Sequence, residues 1–235
     1  MANCITRHIP NTITCCNLIS GCIATVFALG GNMKMALLWI VIGAVFDFFD
    51  GMTARLLHVS SPIGKELDSL ADDVTFGVAP AAMVFTLLHW VSYPAFLEPV
   101  SHIIPYFAFV MAAFAALRLA KFNLDERQSV SFIGLPTPAN ALFWGALIAG
   151  SYPMIINQKY AFAVILAMVC LSSWLMVSEI PMFALKFKQW GWRGNEIRYI
   201  FLLSCLPILA FFGIVGIAVI IAWYISLSVT QYLFS

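Results

Sequence analysis

The chain has 235 residues, of which 62% are hydrophobic and only 10% charged, and its mean hydropathy is +0.94. An ordinary soluble domain carries about 25% charged residues, so this composition cannot supply a water-facing surface and points to a polytopic membrane protein. It also excludes a disordered chain and a disulfide-stapled secreted module, and a net charge of +1 gives no bulk field for a nucleic acid.

A membrane-crossing helix needs about 20 apolar residues. In chain order, apolar stretches run over residues 13–30, 35–57, 66–91, 101–121, 137–156, 160–178 and 198–233. The last, about 36 residues, is too long for one crossing, and Pro207 and Gly213 offer places to break it. The expectation is an all-α transmembrane bundle of eight spans, or seven if the last stretch stays whole, forming one domain over residues 1–235. The first stretch is too long for a signal peptide and lacks a small-residue cleavage site. The six cysteines show no CxxC pair and no Cys/His metal spacing, so buried, reduced thiols are expected.

The basic residues orient the spans. Arg7, Arg55, Lys65, Arg118, Lys121, Arg127, Lys186, Lys188, Arg193 and Arg198 fall on one side of this topology, and only Lys34 and Lys159 on the other. That bias predicts a cytoplasmic N-terminus and cytoplasmic loops on the basic side. Residues 182–196 add Trp190 and Trp192 to their bases and read as a segment lying against lipid headgroups.

Against this scarcity, four acids crowd the cytoplasmic ends of the second and third spans: Asp47, Asp50, Asp68 and Asp72. A charge at bilayer depth costs about 2.5–3.5 kcal/mol on insertion scales, and intramembrane acids mark function by default. At 100° per residue, with Asp47 at zero, Asp50 lies at about −60°, Gly51 at about +40° and Ala54 at about −20°. Two carboxylates and two small residues therefore share one face, away from Phe48, Phe49 and Met52. On the next helix Asp68 and Asp72 follow Gly64 along one stripe, whereas Glu66 and Asp73 point away. Four carboxylates suit Mg²⁺ or Mn²⁺, and a divalent pair beside Arg55 and a bare patch suits a diphosphate. The plainer alternative is an acidic cluster paired with Arg55 and Lys65.

Asp47-x-x-Asp50-Gly51-x-x-Ala54-Arg55, eight residues, then Gly64-x-x-x-Asp68-x-x-x-Asp72 resembles the complete signature of the CDP-alcohol phosphotransferases. The resemblance implies an integral membrane enzyme that moves a phosphatidyl or similar group from a CDP-linked donor to an alcohol and releases CMP. It further implies that Asp47, Asp50, Asp68 and Asp72 surround divalent metals, with Asp72 a ligand, the base, or both. Gly51, Ala54 and Gly64 would flank the cytidine nucleotide, Arg55 would meet a phosphate, and the protein would form a homodimer.

Two further regions resemble the branch of that family that makes phosphatidylserine. One is Pro10-Asn11-Thr12-Ile13-Thr14 leading to Asn17 and Gly21. The other is Arg118-Leu119-Ala120-Lys121-Phe122-Asn123 followed by Phe132-x-Gly134-Leu135-Pro136-Thr137-Pro138-Ala139, with a weaker echo at Ser178-Glu179-Ile180-Pro181. Lys121 stands where that branch often has Arg, and Asn140 where it often has Ala. The implied substrates are CDP-diacylglycerol and L-serine. Arg118 and Lys121 either capture an acceptor carboxylate, with Asn123 adding hydrogen bonds, or anchor the helix end to lipid phosphates, as Arg127 also does. Thr14 and Asn17 either touch the nucleotide or bond between helices. Glycerol phosphate or inositol phosphate is the alternative acceptor. A cation-coupled transporter is the alternative class, although such a site lies near the midplane between paired halves.

Overall fold

A computed structural model of the chain describes residues 4–59, 61–125, 132–183, 191 and 195–234. Arg127, Lys186, Lys188, Trp190, Trp192 and Arg193, and with them most of the expected headgroup segment, lie outside the described residues, as does the side chain of Arg7. The described chain is helical apart from short connections and a two-residue ribbon.

Helix α1 (Cys4–Leu29) turns through Gly31, whose φ of +80° suits glycine, into α2 (Met33–Leu56), capped where the Asn32 side chain accepts from the Met35 N–H. The third expected span is a composite rod: α3 (Pro62–Asp72), a π-helical turn (Asp73–Val78) and α4 (Ala79–Trp90). Ser61 caps α3 by accepting from Gly64, and Pro62 occupies the first helical position, where a missing N–H costs nothing. Two 3₁₀ turns (Ala95–Val100 and Ile104–Phe109) lead into α5 (Val110–Leu124). Strand β1 (Phe132–Ile133) precedes α6 (Thr137–Ile155) and α7 (Ala161–Val177), and strand β2 (Pro181–Met182) follows them. The chain closes with α8 (Glu196–Phe212) and α9 (Val215–Phe234).

All-α architecture is therefore observed, and each expected apolar stretch coincides with helix. The helices extend beyond the hydropathy limits at α1, which starts at Cys4, because polar residues such as His8 and Asn11 continue the helix beyond its apolar part. The 198–233 stretch breaks at Gly213, where φ is +54°, and not at Pro207, which sits inside α8. An interior proline removes one backbone donor; the left-handed glycine changes the chain's direction. Among the described residues five helical segments have the length and apolarity to cross a membrane: His8–Leu29, Met33–Leu56, Pro62–Trp90, Ile104–Leu124 and Val215–Leu233.

The composite rod is the centre of the bundle. Ala79, Ala81, Ala82, Met83, Val84, Leu87 and Leu88 are all fully buried, and α1, α5 and α6 pack on the rod. Large apolar side chains elsewhere face outward, among them Val26, Leu117, Leu206 and Phe211. That arrangement is costly in water and natural against lipid, where apolar contact supplies no reason to turn inward. The same reasoning corrects the expectation for the cysteines. Cys15, Cys16, Cys22, Cys170 and Cys205 are unpaired among the described residues, but Cys15, Cys22 and Cys170 are exposed, since a small thiol gains little from burial when the surroundings are apolar.

Two helices close on the rod at the π turn. A Cβ at Gly21 would collide with Thr75, and one at Gly43 would stand 2.5 Å from Thr75 Cγ2 and 2.9 Å from Asn17 Oδ1. The Thr75 hydroxyl donates to the Asn17 carbonyl at 3.0 Å, tying the π turn to α1. These glycines bring α1 and α2 against the rod just beyond Asp72.

Candidate metal and phosphate site

The acidic faces of α2 and α3 meet as their periodicity requires. One carboxylate oxygen each from Asp47, Asp50 and Asp68 lies within 4.8 Å of the other two. Phe48 and Phe49 are exposed on the opposite side of α2, and Glu66 is exposed on α3. Asp73 stands outside the trio, with Oδ1 buried near Gly77.

The pairing alternative does not describe this cluster. Lys65 donates its ammonium to the Asn123 carbonyl at 2.8 Å, and Arg55 is exposed in the last turn of α2. Asp68 Oδ1 is buried with no hydrogen-bond partner among the described residues. Three converging carboxylates, one with an orphaned oxygen, fit a hard divalent cation such as Mg²⁺ or Mn²⁺.

Helix α1 supplies the supports. Thr14 Oγ1, buried, donates to Asp50 Oδ2 at 2.6 Å, with the Pro10 carbonyl at 3.1 Å as the alternative acceptor for the same proton. Asn17, fully buried, donates from Nδ2 to Asp72 Oδ1 at 3.1 Å. Both side chains therefore bond between helices, and Thr14 also borders the cleft described next. Asp72 Oδ1 is thus held from α1 by Asn17.

A cleft of about 270 Å³ opens beside the trio, lined by Pro10, Asn11, Thr14, Asp50, Gly51, Ala54, Val59, Ser61, Gly64, Lys65 and Asp68. Every small residue of the acidic signature is on its wall. A Cβ at Gly51 would meet nothing within 4 Å, so the missing side chain leaves open space for a ligand. At Gly64 a Cβ would stand 3.0 Å from both Asn11 Oδ1 and Ser61 Oγ. Arg55 does not line this cleft. Sequence reasoning missed Ser61 and Lys65 as wall residues; the helix-start pattern Ser61-Pro62 was the available signal.

A second cleft, of about 380 Å³, is lined by Arg118, Lys121, Leu124, Asp125, Ile133, Met176, Val177, Ser178 and Glu179. Arg118 is buried, donates from Nη1 to Thr137 Oγ1 at 3.1 Å and lies within electrostatic reach of Asp72. It is no snorkelling anchor. Asn123 is not on this wall: it donates to Ser69 Oγ at 2.8 Å and clamps the end of α5 to α3. The far side is shaped by the ribbon, in which Phe132 pairs with Met182 and Ile133 with Pro181. Gly134, at φ +74°, passes so close to α7 that a Cβ would stand 2.6 Å from the Met176 carbonyl.

A family model described as "CDP-alcohol phosphatidyltransferase" matches residues 7–228. Among curated proteins, a Bacillus subtilis protein named CDP-diacylglycerol–serine O-phosphatidyltransferase is 37% identical over 175 residues, covering 74% of this chain and 89% of its own. A Helicobacter pylori protein of the same name is 29% identical over 233 residues, covering 96% of this chain and 91% of its own. A Saccharomyces cerevisiae protein of that name is 38% identical over 147 residues, covering 56% of this chain and 50% of its own.

Proposed function

The chain belongs to the CDP-alcohol phosphatidyltransferase family, and from that premise we propose that it transfers the phosphatidyl group of CDP-diacylglycerol to the hydroxyl of L-serine, giving phosphatidylserine and CMP. The names of its relatives support the donor and acceptor. The observation that carries the chemistry is the convergence of Asp47, Asp50 and Asp68 within 4.8 Å beside a cleft lined by Gly51, Ala54 and Gly64. Family membership sets the transporter alternative aside.

In this reading Asp47, Asp50 and Asp68 hold one or two divalent ions, with Asp72 on their edge. Bound there, Mg²⁺ or Mn²⁺ supplies neutralising charge for the pyrophosphate and for the departing CMP. The open wall at Gly51 and Ala54 receives the nucleotide, while the acyl chains stay among the outward apolar side chains. Arg55, exposed beside that wall, meets donor phosphate from the solvent side. Serine enters through the second cleft, its carboxylate toward Arg118 and Lys121. Asp72, kept in place by Asn17, accepts the proton of the serine hydroxyl. The serine oxygen bonds to the phosphorus that bears diacylglycerol as the bridging P–O bond to CMP breaks, and CMP leaves with that electron pair. The positive-inside bias supports a cytoplasmic active site, and the family resemblance supports a homodimer.

The test is CMP release by the purified protein in lipid nanodiscs, supplied with CDP-diacylglycerol, Mn²⁺ or Mg²⁺, and separately with serine, glycerol phosphate and inositol phosphate. Release dependent on serine supports the proposal. Release with a phosphorylated alcohol and not with serine moves the acceptor, and no release with any alcohol defeats the transfer reading.

A further inference from the structure

The second cleft carries more charge than a carboxylate requires. Arg118 is 7% exposed, and its Nε is buried without a partner while Nη1 is spent on Thr137. A buried, incompletely satisfied guanidinium on a cleft wall is costly unless an anion completes it. Lys121 brings a second cation to the same wall. Glu179, exposed on the segment that follows α7, lines the same cleft, with no ion pair to Lys121 among the described residues. Asp125, the other acid on this wall, has an interaction of its own.

The loop that carries Glu179 is fixed. The Gly134 N–H donates to the Ile180 carbonyl at 2.9 Å, and Ser178 Oγ donates to the Leu175 carbonyl at 2.9 Å. The glycine needed for that close passage and the loop acid are thus parts of one construction. A cleft lined by two cations from α5 and by an acid from the segment after α7, with no ion pair between Lys121 and that acid among the described residues, is complementary to a zwitterion. An alcohol phosphate would be repelled by the acid and would gain nothing from it.

We propose that Glu179 determines acceptor specificity by binding the α-ammonium of the amino-acid acceptor, while Arg118 and Lys121 take its carboxylate. The assignment rests on the serine-transfer reading above.

The experiment measures serine KM, kcat and CDP-diacylglycerol KM for the parent, Glu179→Gln and Glu179→Asp in nanodiscs, together with the inhibition constant of 3-hydroxypropionate, which is serine without its amine. Glu179→Gln is expected to raise serine KM about tenfold or more, the loss of one charge-assisted contact. Its kcat at saturating serine, its donor KM and its 3-hydroxypropionate inhibition constant should stay within about twofold of the parent. Glu179→Asp should recover part of the loss. An unchanged serine KM in Glu179→Gln, in a parent that uses serine, overturns the assignment alone. So does an equal weakening of serine and 3-hydroxypropionate, which marks a structural effect. A parent that ignores serine but uses another alcohol overturns the transfer reading and this assignment together.

Discussion

Asn17 Nδ2 donates to Asp72 Oδ1 across 3.1 Å, from the fully buried face of α1 to the last residue of α3. The amide offers a donor and no charge, so it orients the carboxylate without removing its capacity to accept a proton. Asn17 in turn is held by its backbone carbonyl, which accepts from Thr75.

This chain of contacts separates two effects. Asp72→Asn should cut turnover by about 10³-fold, within the range a general base contributes, while donor binding persists. Asn17→Ala should cut kcat about tenfold through a misplaced base, with CDP-diacylglycerol KM little changed. Initial rates of CMP release check both, and near-parental turnover in Asp72→Asn would remove the proton-accepting role.

Thr14 does for Asp50 what Asn17 does for Asp72. Its hydroxyl donates at 2.6 Å to the most buried member of the trio, fixing which oxygen remains for a cation. Chelation should abolish CMP release, and Mn²⁺ or Mg²⁺ should restore it. Thr14→Val keeps the shape and loses the donor; it should raise the Mn²⁺ concentration for half-maximal rate about tenfold, as losses of supporting contacts to ligands do. A metal titration that overlays the parent's would show that Thr14 acts elsewhere.

Two glycines eight residues apart on α2 predict opposite phenotypes. At Gly43 an added Cβ meets Thr75 and Asn17, so Gly43→Ala should cost about 1–3 kcal/mol of stability by overpacking. At Gly51 it meets nothing, so Gly51→Val should leave folding largely intact and raise donor KM by filling the cleft. Thermal unfolding in detergent together with donor KM distinguishes the two. A Gly51→Val protein with parental donor KM would argue against nucleotide at that wall.

The same residues show what the sequence could and could not disclose. The 3.6-residue period placed Asp47, Asp50 and Asp68 on facing stripes, because periodicity depends only on positions within one helix. It did not show that Asn17 would hold Asp72, since that depends on how α1 is rotated against α3. Nor did it reveal the π turn: Asp73–Val78 carries no proline to announce it, and the space for it comes from Gly21 and Gly43 on other helices. Charge counting alone leaves Arg118 open between acceptor binding and anchoring, because its burial and its bond to Thr137 arise only when distant segments pack.

The ribbon gives the last prediction. Gly134 combines a φ of +74° with a backbone approach that leaves no room for a Cβ. Gly134→Ala should cost about 1–2 kcal/mol from the left-handed conformation alone, before the collision with the Met176 carbonyl is counted. In a chain of this size that lowers the melting temperature by about 2–4 °C per kcal/mol. The displaced loop carries Ile180 and its neighbour Glu179 away from Arg118, so serine KM should rise while CDP-diacylglycerol KM, set at the first cleft, changes far less. A shared rise in both constants would mean that the ribbon supports the whole bundle; a rise confined to serine ties it to the acceptor side.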